Sequence, residues 1–240
     1  MHLKSIIQNI CLMCEDKKSW RIVPGDVDIE SLREDKPFAA LLNLARSLNA
    51  LRFCQFSFLA VTDHDIPSAR RQRLNAFLFN CAILFEALVV VDGLGRFFRD
   101  YDAFTGFRDI LRDHRFRWFR ERILNRIRNK VVFQFDPEVA SEVLTDDILK
   151  NSLFVESRGQ KAGEAYFDLA DSIAMKYILA DPPLRENNEN ECMRKLCKDA
   201  IDLTGLLLDA GETLIADYLE RSGWQLETTD QEMDSAGDED

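Results

Sequence analysis

The chain has 240 residues, of which 46% are hydrophobic and 30% are charged, and its net charge is −11. A chain of this length and apolar content can bury a substantial core, which excludes an intrinsically disordered protein. Ten Gly and six Pro are few for this length, so we expect long helices rather than many turns.

The first residues of the chain do not resemble a signal for secretion. The opening MHLKSIIQNICLMCEDKK has one short apolar stretch, broken by Gln8 and Asn9, and is a poor secretory signal. No apolar run is expected to reach the length that crosses a bilayer. We therefore expect a cytoplasmic protein with no membrane partner, in which the six cysteines are reduced thiols.

The cysteine spacing does not predict a metal site. Cys11 and Cys14 form a CxxC pair, which is half of a zinc site. Cys192 and Cys197 are separated by four residues, which is not a typical spacing for the other half. We therefore expect buried thiols, no metal and no cofactor.

The chain divides into three regions. Residues 1–36, which include Pro24-Gly25, are predicted to form an irregular N-terminal segment. Residues 37–227 are predicted to form a single all-α domain. Residues 228–240, TTDQEMDSAGDED, carry a strong negative charge and predict a disordered acidic tail. We favour a solubilising role for this tail over competition with nucleic acid for a basic surface.

Two long helices come first in the predicted domain. The first covers 37–61, with Pro37 in its first turn and apolar residues at helical spacing. The second covers 67–91, and Gly93 and Gly95 are predicted to end it. A single carboxylate, Glu86, interrupts its apolar sequence from Ala76 to Val91.

The later helices are shorter, apart from the last. Asp136-Pro137-Glu138 is a good helix start, because Asp caps a helix and Pro suits its first position. The predicted ranges are 102–113, 115–135, 136–144, 164–180 and 189–221, with a loop at 151–163. KVVFQF could pass for a strand but has no partner strand. The apolar stripe of the last helix is available for core packing or for a partner protein.

The charge is unevenly distributed along the chain. Residues 1–95 are neutral, residues 131–180 have a net charge of −5, and residues 181–240 have a net charge of −12. Between them, residues 96–130 contain ten Arg and one Lys against five acidic residues. This basic segment either attracts phosphates, which planar guanidinium groups bind well, or pairs with the acidic C-terminal third.

One motif lies at the end of the basic segment. In RIRNKVVFQFDP, residues 126–137, Arg128-Asn129 precede Gln134 by six and five positions. A second string, RDILRDH, joins Arg108 to His114 with the same spacing. On a helix that spacing turns the two side chains about 120° apart, which is poor geometry for a joint site. We expect Glu86 to pair with Arg128 or to form another ion pair that fixes helix register.

These stretches carry a resemblance to a known superfamily. LARSLNALRF, ARRQRLNAFLFNCAILFEAL and LNRIRNKVVFQFDPEV resemble a bacterial group of HEPN-like proteins, over residues 37–144. HEPN proteins are α-helical bundles, and many are metal-independent ribonucleases in toxin–antitoxin and phage-defence systems. Their signature is Arg, a polar residue and, four to six residues on, His. Arg128-Asn129 fits its first half, and Gln134 stands where His belongs.

The resemblance implies an HEPN-like bundle of long antiparallel helices with additional C-terminal helices. It also implies a homodimer whose two motifs form a composite site. Arg128 would stabilise the negative charge on phosphorus, whereas Gln134 cannot exchange a proton near neutral pH. We therefore predict a degenerate, weak or non-catalytic ribonuclease relative that binds RNA or regulates a defence or toxin–antitoxin partner. The predicted site comprises Glu86, Arg128, Asn129 and Gln134, and the predicted RNA contacts are Arg120, Arg126, Arg128 and Lys130.

Two alternatives remain open. The chain could be a helical interaction subunit of a larger complex, docking through its last helix without any nucleic-acid role. It could also be an active ribonuclease in which His114, or a His of a partner, restores proton transfer.

Overall fold

The computed structural model of the chain describes residues 18–25, 27, 29–60, 67–133, 136–151, 156–157, 165–166, 168–185 and 188–230. These residues are mostly helical. The all-α prediction is therefore confirmed at the level of fold class.

Two long helices form one side of the fold. After the short helix α1 (Ile29–Leu32), α2 covers Lys36–Ala60 and α3 covers Pro67–Phe98. The two long helices pack along each other. Because only six residues connect them, they run antiparallel. The predicted starts of both helices are confirmed to within one residue.

Helix α3 continues beyond the predicted end. It passes through Gly93 and Gly95 and ends at Phe98, where Leu94 and Phe98 are buried. Each glycine costs a helix about 1 kcal/mol, whereas burying a large apolar side chain contributes about 1.5–3 kcal/mol. Core packing therefore outweighs the two helix-breaking residues.

The same helix corrects the expectation about apolar runs. Residues Arg71–Phe98 are long and apolar enough to cross a membrane by length and composition. Core helices of soluble proteins also meet this criterion. Here α3 contributes Phe77, Leu84 and Val91 to the same buried cluster as the other helices.

The basic segment folds into a series of short helical elements. A 3₁₀ turn, Asp102–Phe104, leads into α4 (Thr105–Arg112), and a second turn, His114–Phe116, leads into two π-helical segments. These segments, Phe119–Leu124 and Ile127–Val132, place Lys130 to Val132 in a helix. The predicted helix, and not a strand, is therefore found over Lys130 to Val132, while Gln134 and Phe135 lie outside the described residues. Isoleucine and valine side chains of both segments are buried against α3, so burial decides the local structure.

The central part ends in short helices. Helix α5 covers Glu138–Val143 and α6 covers Asp146–Asn151. Asp136 accepts a hydrogen bond from the Glu138 backbone N–H at 2.9 Å, which confirms the predicted helix start. Strand β2 (Glu156–Ser157) pairs with β3 (Ala165–Tyr166). Strand β2 lies in the predicted loop, whereas β3 occupies the predicted beginning of the next helix, so α7 covers only Asp168–Leu179.

The last long helix is the centre of the bundle. After α8 (Pro182–Arg185), α9 covers Glu189–Arg221, as predicted. Its apolar stripe is buried against α2, α3 and α4 and includes Leu196, Leu203, Leu207 and Leu214. The stripe is therefore used in the fold, and a partner protein would have to contact other residues of this helix.

A two-stranded sheet joins the two ends of the described chain. Strand β1 (Lys18–Pro24) pairs antiparallel with β4 (Trp224–Asp230), which follows α9 after a turn at Gly223 with φ 79°. A Cβ atom at Gly25 would lie 2.6 Å from the Gly223 carbonyl oxygen, so the two backbones approach closely here.

This sheet corrects two boundaries. Residues 18–24 and 29–32 are regular, so the prediction of an irregular 1–36 segment is wrong for them. Residues 228–230 belong to β4 and not to a tail. Apolar residues alternate with polar ones at Trp20 and Ile22 and at Trp224 and Leu226, but two apolar positions in each segment are too few to predict a strand. The rest of the predicted tail, 231–240, and Cys11 and Cys14 lie outside the described residues.

Candidate functional site

Arg128 lies in the second π-helical segment, on its side away from the core. The buried residues of this segment are Ile127, Val131 and Val132, which pack against α3. Burial of these three side chains leaves Arg128, Asn129 and Lys130 partly exposed. π-helical turns are rare and are frequently found at functional sites, because the wider turn changes the direction of side chains.

Glu86 and Asn129 orient the Arg128 guanidinium. The Nε atom of Arg128 donates to Glu86 Oε1 at 2.6 Å, and Nη1 donates to Asn129 Oδ1 at 2.6 Å. The predicted pairing of Glu86 with Arg128 is confirmed. The side chains are 32% and 39% exposed, so the pair lies at the surface. The Asn129 side chain also donates through Nδ2 to Asn125.

Two aromatic rings flank the same guanidinium. Its central carbon lies 5.8 Å from the ring centroid of Phe85 and 5.8 Å from that of Phe133. Both distances are at the outer limit for a cation–π contact. Within the described residues, Nη2 of Arg128 donates to no protein acceptor, so this edge of the guanidinium can contact a ligand.

The other predicted RNA contacts are used inside the protein. Arg120 donates to the carbonyl oxygens of Ile110 and Leu111 at 2.9 and 2.8 Å, which satisfies the C-terminal end of α4. Lys130 pairs with Asp136 and lies 3.5 Å from Glu138. These two cations therefore stabilise the local fold, and neither extends freely into solvent.

Arg126 belongs to a cluster that sequence reasoning missed. Its guanidinium stacks on the Tyr177 ring at 4.0 Å and donates to the Tyr177 carbonyl oxygen at 2.9 Å. It also lies 3.7 Å from the carboxylate of Asp181, which is fully buried. Asp181 additionally accepts from Trp118 Nε1 at 3.0 Å and lies 3.2 Å from Arg122 Nε.

The Asp181 cluster joins the basic segment to the loop between α7 and α8. In the sequence, Asp181 is the residue that follows the predicted helix 164–180, and two prolines come after it. One sequence signal was available: Asp181 is an acid that ends an apolar helix in a chain with an arginine-rich segment. The cluster partly confirms the alternative interpretation of the charge pattern, because these arginines pair with acidic residues from later in the chain.

The remaining predicted site residues are placed as follows. Gln134 lies outside the described residues. His114 is exposed in its 3₁₀ turn, while Arg108 donates to Thr105 Oγ1 at 2.6 Å. No contact joins Arg108 to His114 in the described part of the chain. The second Arg–His string therefore does not form a site within this chain.

The described residues contain no cluster of three His, Cys, Asp or Glu side chains that could hold a metal ion. The four cysteines among them, Cys54, Cys81, Cys192 and Cys197, are free thiols. The Cys192 thiol donates to the Leu184 carbonyl oxygen at 3.4 Å. This thiol therefore has a structural partner in the core.

Arg128 and Asn129 can bind an anion, but neither side chain can transfer a proton near neutral pH. An arginine stays protonated in proteins, and asparagine has no proton to exchange. Comparison of the chain with protein-family models, curated proteins and solved structures found no match. The HEPN resemblance therefore stays a prediction that rests on the sequence stretches quoted above.

Proposed function

We propose that this protein is an HEPN-like helical-bundle protein that binds RNA through Arg128 and is a weak or non-catalytic relative of metal-independent ribonucleases. The observation that carries the proposal is the oriented guanidinium of Arg128: its Nη2 edge donates to no acceptor in the described residues, and two aromatic rings have their centroids 5.8 Å from its central carbon. Such an edge suits a phosphate oxygen, and the rings suit an unstacked base.

The set of RNA contacts becomes smaller than the sequence indicated. Arg120 and Arg126 satisfy internal acceptors, so their removal would affect folding before it affected binding. Arg128 is the main contact and Lys130 lies beside it. Asn129 and Glu86 position the Arg128 side chain, and Gln134 would take the place of the proton-transferring histidine. A homodimer that brings two Arg128 residues together, and a defence or toxin–antitoxin partner, belong to the same proposal.

RNA binding by the Arg128→Ala variant tests the proposal. Loss of one charge-assisted contact is expected to weaken binding of single-stranded RNA about tenfold and to reduce the salt slope by about 0.7. Fluorescence anisotropy at several salt concentrations measures both quantities. The matched control is Arg117→Ala, because Arg117 belongs to the same basic segment but pairs with Glu121 at the surface. Equal losses in the two variants would contradict a specific role for Arg128.

Cleavage gives a separate test of the degenerate-site interpretation. Gln134→His is expected to introduce RNA cleavage that persists in EDTA and is lost when Arg128→Ala is added. General acid–base catalysis is typically worth about 10²–10⁴-fold, so a gain of this size is measurable on a labelled RNA. A folded Gln134→His variant that neither binds nor cleaves RNA would argue against the nucleic-acid role. Cleavage by the unmodified chain that is abolished by His114→Ala would instead support an active ribonuclease.

Exposed apolar side chains favour the interaction-protein alternative. Large hydrophobic residues of α2 and α3 are more than half exposed, namely Leu42, Phe53, Phe56, Phe79 and Val89. Exposed aromatic groups of this kind are enriched at protein interfaces. We propose that these residues belong to a protein-binding surface. Loss of self-association in Phe53→Ser/Phe56→Ser, measured by light scattering, would assign the surface to a homodimer.

A further inference from the structure

A second cleft lies on the other half of the basic segment. It has a volume of about 420 Å³ and lies between the C-terminal part of α3 and helix α4 with its preceding turn. Three arginines line it, Arg99 from the end of α3 and Arg108 and Arg112 from α4. The Arg128 site contains none of these residues.

The arginines of this cleft differ from those between Arg115 and Lys130. Each cation of that later stretch contacts a carboxylate or a backbone carbonyl oxygen. Among the described residues, Arg99 and Arg112 form no ion pair, and Arg108 donates only to the neutral Thr105 hydroxyl. Three like charges in one cleft repel each other, and a bound anion would remove this repulsion.

The remaining lining residues limit the class of ligand. The apolar wall of the cleft consists of Leu111, which is partly exposed, and of Phe104 and Val91, which are 4% and 0% exposed and belong mainly to the core. Gly95 contributes no side chain, and a Cβ atom there would lie 3.8 Å from the Phe104 ring. Among the described residues, Asp92 is the one acidic residue that lines the cleft, and it can accept a hydrogen bond from a hydroxyl group. The cleft volume falls within the range of about 300–1,000 Å³ typical of small-molecule sites.

We propose that this cleft binds a small organic phosphate monoester, with its dianionic group on Arg99, Arg108 and Arg112 and its apolar part on Leu111 and the exposed edge of Phe104. Guanidinium groups bind phosphate oxygens in pairs of parallel hydrogen bonds. The apolar wall adds burial that inorganic phosphate cannot use. The proposal is independent of the Arg128 site, since the two sites have no residue in common.

Calorimetric titration of the full chain with phenyl phosphate, inorganic phosphate and phenol tests the proposal. Phenyl phosphate is expected to bind at least about tenfold more tightly than either other probe, because only it engages both the arginines and the apolar wall. Arg108→Gln/Arg112→Gln is expected to lose at least about tenfold in affinity for phenyl phosphate. The control Arg117→Gln removes a cation of the same segment outside the cleft and is expected to bind as the unmodified chain does.

A second variant tests the cleft without changing its charge. Gly95→Leu would fill the space beside Phe104, and we expect it to weaken phenyl phosphate binding while all three arginines remain. Equal affinity for phenyl phosphate and phenol would overturn the proposal. So would equal losses in Arg108→Gln/Arg112→Gln and Arg117→Gln. Displacement of phenyl phosphate by single-stranded RNA at equal phosphate concentration would make the cleft part of an RNA surface, and would overturn the small-ligand assignment.

Discussion

At the scale of single residues, four arginines of the basic segment have three different roles. Arg120 satisfies backbone carbonyl groups, Arg122 and Arg126 surround a buried carboxylate, and Arg128 is held by two side chains with one edge open. Formal charge is the same in each case. The acceptors that surround each guanidinium decide how much of its charge can act on a ligand.

Asp181→Asn is expected to destabilise the protein. Asp181 is fully buried and carries the negative charge that faces Arg126, and a neutral amide would remove that charge. Removing one member of a buried ion pair costs about 3–5 kcal/mol. We expect the lower part of that range, because Arg122 is more than half exposed. Urea unfolding followed by circular dichroism measures the change. In the control Asp202→Asn, which disrupts the exposed pair with Lys198, the expected change is below about 0.5 kcal/mol. Similar changes in both variants would show that Asp181 is not a structural centre.

Glu86→Gln separates positioning from total charge. This substitution makes the protein less negative, so an RNA affinity set by net charge would increase. If Glu86 positions Arg128, the affinity is expected to decrease about two- to fivefold, a free-energy change below about 1 kcal/mol. Anisotropy with the same RNA measures the sign. Tighter binding would contradict the positioning role.

The motif residues were identified from the sequence because they lie next to each other in it. Arg128 and Asn129 are adjacent, and Glu86 was conspicuous as a single charge in an apolar helix. The Asp181 cluster was not identified, because Trp118 and Arg126 are separated by more than fifty residues from Tyr177 and Asp181. Arg120 was assigned to RNA because a sequence does not show which carbonyl groups a side chain reaches.

At the scale of secondary-structure elements, close packing of α2 against α9 depends on a glycine. A Cβ atom at Gly211 would lie 2.6 Å from Leu48 Cδ1 and 3.3 Å from its Cγ, and Leu48 is buried. At Gly205, in the same helix, a Cβ atom would meet no atom within 4 Å. The two glycines therefore share a helix but differ in their surroundings.

Gly211→Ala and Gly205→Ala are expected to change stability in opposite directions. Alanine at position 205 gains helix propensity and should stabilise the protein by about 0.5–1 kcal/mol. Alanine at position 211 gains the same propensity, but the displacement of Leu48 should give a net loss of about 1–2 kcal/mol. Thermal and urea unfolding of the two variants measure both signs. Stabilisation by Gly211→Ala would show that the interface can widen at little cost.

Comparison of the predicted and observed bounds shows which helices and strands can be located from local sequence patterns alone. The predicted range of α9 agrees with the structure, because its apolar stripe is long and strongly periodic. The end of α3 was missed because Leu94 and Phe98 gain more from burial than the glycines lose. Strands β1 and β4 were missed because each becomes regular only beside the other, about 200 residues away in sequence.

At the scale of the whole molecule, buried thiols and one buried phenol make the free energy of unfolding depend on pH in the alkaline range. Burial raises the pKa of the Cys54 and Cys81 thiols and raises that of Cys197 to about 11. Burial, together with a hydrogen bond to Asp35, raises the pKa of Tyr218 to about 12. In the unfolded chain these groups ionise near pH 8.5 for a thiol and about 10 for a phenol.

The contribution of these groups to the free energy of unfolding is therefore expected to be fully present below about pH 8 and to be lost between about pH 9 and 12. The folded pKa values are higher than the unfolded ones, so the unfolded chain loses protons first as the pH rises. Urea unfolding with a reductant, repeated across this range, measures the slope. Tyr218→Phe should make the slope shallower above about pH 10, where the phenol titrates. An unchanged slope would mean that Tyr218 is more accessible in the native state than the structure shows.

The sequence by itself determined the helical class, the bounds of α2 and α9, the separation of charge and the adjacency of Arg128 and Asn129. These properties follow from local spacing, which each segment carries independently of the others. Only the tertiary structure decided which arginines are neutralised, since that depends on acceptors from distant segments. It also brought Arg99, Arg108 and Arg112 into one cleft, because the ends of α3 and α4 meet only after the core has packed.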